Sequence, residues 1–81
     1  MQTTYRIHIR NPMKFREEGY YAVQWLRGIG IRFEPKDHVV VHPHTHLYVD
    51  WHIPGQLDLA QQKMFELLFY AQTVELIKDA A

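Results

Sequence analysis

His42, His44 and His46 stand two residues apart, and Asp50 and His52 follow close behind. Neutral imidazoles at such a spacing can bind zinc or copper, because two-residue steps carry side chains to one face of a strand. Pro43 interrupts that geometry, and no second, distant ligand pair or orienting partner for the imidazoles can be picked out. No metal site and no cofactor are therefore expected. Paired histidines can also serve as general acid and base, as a metal-independent ribonuclease requires. The chain lacks serine and cysteine, the commonest nucleophiles, and no compact lysine or arginine cluster lies beside the histidines. Gly28-Ile29-Gly30 follows a helix rather than opening one and has no lysine, so it is not a phosphate loop. No nucleophile, base and orienting group can be assembled, so no catalytic residue is assigned and a non-enzyme is expected.

These residues sit in the stretch around which the chain is organised, His38 to Ile53. It reads as two strands, Val39 to Val41 and Leu47 to Ile53, joined by a tight connection over His42, Pro43, His44 and Thr45. Leu47, Val49, Trp51 and Ile53 alternate with Tyr48, Asp50 and His52, the pattern of a strand with one buried face. Thr3 to Arg10 alternates in the same way, with Tyr5, Ile7 and Ile9 inward. Asn11-Pro12 ends that strand and opens a helix, with Asn11 as N-cap and proline in the first turn. The helix runs to about Arg27, with Phe15, Gly19, Ala22, Val23 and Leu26 at helical spacing. Gly19 reads as a point of close approach to the sheet, and Gly28 and Gly30 as the stop. A short strand is expected at Ile31 to Glu34, with Ile31 and Phe33 inward. Pro54-Gly55 then releases a second helix over about Gln56 to Asp79.

The fold class that follows is α+β: a small two-layer sandwich in the order β-α-β-β-β-α. A three- to four-stranded sheet would carry two helices packed on one face. Eighty-one residues give one domain, 1–81, near the lower limit for a self-sufficient core. An apolar content of 47% is too high for a disordered chain. No apolar run has the eighteen or so residues of a membrane helix and no signal-peptide segment is visible, so a cytoplasmic protein is expected. Nine basic residues balance nine acidic ones, which argues against a nucleic-acid partner held through phosphates.

The second helix carries the surplus. One stripe, Ala60, Met64, Leu67, Leu68, Ala71 and Val74, is expected to cover the sheet. Phe65, Phe69 and Leu76 fall on another face, and Leu59, Tyr70 and Ile77 on a third. A helix on the outside of a two-layer domain needs one apolar face, and surplus apolar surface marks protein contacts. Phe65, Phe69, Leu76 and Tyr70, with Tyr21 and Trp25 of the first helix, are therefore the expected partner-binding residues.

The functional expectation is a non-enzymatic protein-binding module acting through its apolar C-terminal helix. It would be a stoichiometric inhibitor or adaptor, of the kind that phages and mobile elements direct at host defence complexes. Its partner would be another protein, or a second copy in a homodimer. Two alternatives stand beside it. One is a histidine-based metal-binding protein or small nuclease. The other is a weak nucleic-acid binder using the open sheet face around Arg6, Arg10, Arg32 and Tyr48.

Overall fold

A computed structural model describes residues 2–35, 40–42 and 46–78, with 40–42, 46 and 78 described by backbone alone. Six elements follow in chain order: β1 (Gln2–His8), α1 (Pro12–Gly28), β2 (Val40–His42), β3 (His46–Pro54), α2 (Leu59–Leu68) and β4 (Thr73–Lys78). The four strands form one sheet in the order β2-β3-β1-β4, and every neighbouring pair is antiparallel. This is the connectivity of the split βαβ, or ferredoxin-like, topology, which hosts many unrelated functions. The expected class, a small α+β sandwich with two helices packed against a sheet, is what the chain forms.

The start of the chain follows its local signals. In β1, Thr3, Tyr5 and Ile7 are buried, and Ile9 continues the ladder by donating to the Leu47 carbonyl at 2.9 Å. Asn11 caps α1, its side chain accepting from the Lys14 amide at 3.2 Å, with Pro12 in the first turn. The helix closes in a Schellman motif. Gly30 adopts φ +89°, its amide donates to the Arg27 carbonyl, and the Ile31 amide reaches back to Leu26 at 2.9 Å. Only a residue tolerant of the left-handed region makes that turn without strain.

The chain departs from expectation at two places. Ile31 to Glu34 forms no strand, although Phe33 is buried and packs its ring 4.9 Å from that of Trp51. The inward reading of Phe33 holds without a sheet partner. The second helix is only ten residues long. Asp58 caps it in a reciprocal capping box with Gln61, and it ends at Leu68. Residues expected to continue it turn back instead and pair Thr73–Lys78 with β1, making β4 the fourth strand.

The core lies between one face of the sheet and both helices. Tyr5 and Trp51 are cross-strand partners on β1 and β3. Phe65 of α2 sits 4.8 Å from Tyr5 and 6.0 Å from Trp51, centroid to centroid. Phe69, just past the helix end, is 5.2 Å from Trp51 and 6.1 Å from Phe15 of α1. Ring pairs of this kind add about 0.5–1.5 kcal/mol each beyond the area they bury. Phe65 and Phe69 thus face inward, where three other rings, those of Tyr5, Trp51 and Phe15, meet them. A second tie joins α1 to the turn after α2 from the polar side. The buried carboxylate of Glu18 accepts from the Ala71 amide at 2.8 Å and from Gln72 Nε2 at 2.7 Å.

Candidate protein-binding surface

The expected partner-binding residues divide between core and surface. Phe65 and Phe69 are fully buried, which corrects their assignment to a contact face. They are the largest fully buried side chains in the protein's described core, and no partner can reach them without unfolding it. Trp25 is half-buried and packs against the core cluster. Leu76 lies not on a helix but on the edge strand β4, where its register opposite Tyr5 puts it on the helix-bearing side. Tyr21 on α1 and Tyr70 in the turn after α2 are exposed, as the contact reading requires.

In place of the two phenylalanines, Met64 and Leu67 of the stripe expected to cover the sheet are exposed, and so is Leu59 of the third stripe. Leu67 is 68% exposed and Leu59 78%, and Met64 is partly exposed. Met64 and Leu67 are three apart and so are neighbours on one side of the helix, with Ala60 one turn before them. Tyr70 continues the line by one more step, and is 69% exposed. Ala71 and Val74, expected on the same stripe, lie beyond the helix end at Leu68, and the buried phenylalanine pair defines the inner side. Exposed Tyr20, Tyr21 and Met13 add apolar surface on α1.

The opposite face of the sheet carries the groups that could do chemistry, and they are held in cross-strand pairs. Arg6 Nε and Nη2 donate to the two carboxylate oxygens of Asp50 at 2.9 and 3.0 Å. The same guanidinium lies 4.2 Å from the centre of the Tyr48 ring. Hydrogen bonding from Arg6, reinforced by its charge, holds the Asp50 carboxyl below its usual range against the opposing effect of burial, and the Arg6 pKa is raised in turn. A carboxylate held ionised in this way is no general acid at neutral pH. His8 Nε2 donates to Glu75 at 3.0 Å, and His52 Nδ1 is hydrogen-bonded to the Thr4 hydroxyl at 3.0 Å.

This layout separates the two histidines whose side chains are described. His8 is the register partner of Tyr48 and His52 that of Thr4. Four residues of strand at about 3.3 Å each leave roughly 13 Å between them, too far to flank one scissile bond. The Tyr48 ring meets Arg6 and is only half exposed, so it offers little platform for a stacked base. Among the described residues no group of three or more histidine, aspartate or glutamate side chains could hold a metal ion. His38 and His44 lie outside the described residues. An open depression near the end of α1, lined by Arg27, Gly30, Arg32, Phe33 and Glu34, mixes charges of both signs and assembles no reactive pair.

No family model, curated protein or solved structure matches the chain. No helix among the described residues is long and apolar enough to cross a membrane.

Proposed function

We propose that the chain is a non-enzymatic protein-binding module whose docking face is the outer side of α2 and the turn that follows it. One observation carries this reading: Leu59, Met64, Leu67 and Tyr70 are all exposed within twelve residues. Isolated exposed apolar residues are ordinary, whereas a run of large ones on one short element is the mark of an interface. Its make-up also fits, since methionine and tyrosine are enriched at contact surfaces and tyrosine is a common anchor. The paired side chains on the open sheet face support the absence of catalysis, because their acids and bases are engaged with one another. A stoichiometric inhibitor or adaptor is a protein of this kind.

The test is the double substitution Leu67→Glu/Tyr70→Glu, made alongside Phe65→Ala. The charged pair should abolish assembly, with itself or with a partner, while the circular dichroism and melting temperature of the monomer stay near those of the parent. A double variant that assembles as the parent does would remove the proposal. Phe65→Ala should instead lower the melting temperature strongly, separating the surface from the core.

A further inference from the structure

β4 is the last strand of the sheet, paired on one side with β1 and on the other, among the described residues, with no strand. Such an edge presents a row of amide and carbonyl groups that another extended backbone can match. Thr73–Lys78 contains no proline, and Leu76 and Ile77 are exposed along it. The edge therefore sets the chemistry of its occupant: a further strand. α2 lies above this side of the sheet. Its Phe65 packs on Tyr5, and Tyr5 is the register partner of Leu76. α1 approaches β3 instead, with Gly19 close to Trp51, so β4 lies beyond α2 from α1.

Leu59, Lys63, Glu66 and Tyr70 are all exposed. They stand four, three and four residues apart, the spacing of one helical stripe carried into the turn after α2. Half-buried Gln61 and Leu68 belong to the other flank, where Leu68 leans on the core. Reversed end to end, the stripe matches itself: Leu59 takes the place of Tyr70, and Lys63 that of Glu66.

We propose that the strand added to β4 is the β4 of a second copy of this chain, antiparallel about a two-fold axis normal to the sheet near Leu76. The inference rests on the reading of α2 as a docking face and names its occupant. Such an axis keeps the helices of both copies on one side of the joined sheet and lays the two α2 helices antiparallel beside each other. The axis is level with Leu76 and hence with Phe65. At about 1.5 Å of rise per residue, Lys63 then stands within about 2 Å, along the helix, of the level of the partner's Glu66. Leu59 meets the level of the partner's Tyr70 in the same way. Opposite charges and apolar side chains are thus matched twice over by symmetry. An axis at Glu75 would set its two carboxylates directly opposite each other, which is unfavourable. Two short strands alone are marginal in water. The helix stripe holds them together, and the joined sheet leaves neither β4 edge open.

The experiment is sedimentation equilibrium of the full chain over a dilution series, repeated on Lys63→Glu, on Glu66→Lys and on Lys63→Glu/Glu66→Lys. Both positions are exposed, so the circular dichroism of all three variants should match the parent. The parent should form a dimer. Each single reversal sets like charges against each other at both pairs and should weaken the dimer at least tenfold. The double reversal should return it to within threefold of the parent. A monomer throughout the series, single reversals without effect, or a double reversal no tighter than the singles overturns the proposal. Hydrogen exchange supplies a second measurement: amides of residues 73–77 should be protected in the dimer and lose protection on dilution. A dimer that leaves them unprotected uses another face and also overturns it. A monomer that binds a different protein, and loses it in Leu67→Glu/Tyr70→Glu, overturns the second copy alone and leaves the docking face of α2 standing.

Discussion

Glu18 and Gln72 are hydrogen-bonded side chain to side chain at 2.7 Å across 54 residues of sequence. The same glutamine amide donates to the Asn11 carbonyl at 2.8 Å, and its oxygen accepts the Arg10 and Asn11 amides at 2.7 and 2.9 Å. One side chain thus joins the start of α1, the turn after α2 and the β1–α1 corner. This knot anchors the turn at which α2 gives way to β4, and so the arrangement that leaves Leu67 and Tyr70 outside.

Breaking it should be costly. Glu18→Gln replaces one acceptor oxygen with an amide that faces the Ala71 or Gln72 donor, leaving a buried donor unsatisfied. Such a loss typically costs about 1–3 kcal/mol. Urea denaturation should show a lower midpoint with an unchanged slope.

The inside and outside of α2 should differ sharply in stability. Phe65→Ala or Phe69→Ala empties the aromatic cluster and should cost about 3–5 kcal/mol. Leu67→Ala and Leu59→Ala remove exposed side chains and should stay within about 0.5 kcal/mol of the parent. Equal effects on the two sets, measured by denaturant unfolding of the monomer, would contradict the packing described here.

Gly19 offers a stabilising change. A methyl group there would meet Trp51 Cζ2 at 3.7 Å, ordinary van der Waals contact. The close approach expected of this glycine is therefore looser than its type suggests, and alanine is the better helix former. Gly19→Ala should stabilise by about 0.5–1 kcal/mol and raise the melting temperature by a few degrees.

Acid stability should depend on Asp50. Its folded-state pKa lies below the unfolded value, so the ion pair with Arg6 contributes stability that is present above about pH 4 and is lost as the pH falls through the folded value. Asp50→Asn should lower stability at neutral pH and flatten the decline below pH 4. Thermal melts between pH 2 and 7 check both. Because the pair is partly exposed, the effect should be modest and should shrink in salt.

The front of this fold is legible in the sequence because local signals and tertiary packing agree there. Tyr5 and Ile7 alternate and are buried; Asn11-Pro12 and Gly30 bracket α1 and do so through identifiable caps. The back is less legible because MFELLFYA followed by TVELI satisfies helical spacing all the way to Ile77. Val74 and Leu76 sit on the β4 side facing the helices by a period of two, and a six-residue run cannot be told from helix by spacing alone. Glu18 stands three from Phe15 and four from Ala22, within the buried stripe of α1, and that position is the sequence mark of its burial. The aromatic clue was also there, since Phe65 and Phe69 are the bulkier i, i+4 pair and fill the core where Met64 and Leu67 cannot.

The central claim is that the outer side of α2 is occupied by another polypeptide. The most direct measurement is to place a photo-crosslinking residue at position 67, and in a control at exposed Arg16 of α1, and to weigh the products formed in cells. A discrete adduct from position 67, of twice the chain's mass for a second copy or of another mass for a different protein, is expected. It should be absent from position 16 and lost on Tyr70→Glu. No adduct from position 67, or one that Tyr70→Glu leaves unchanged, would contradict the account.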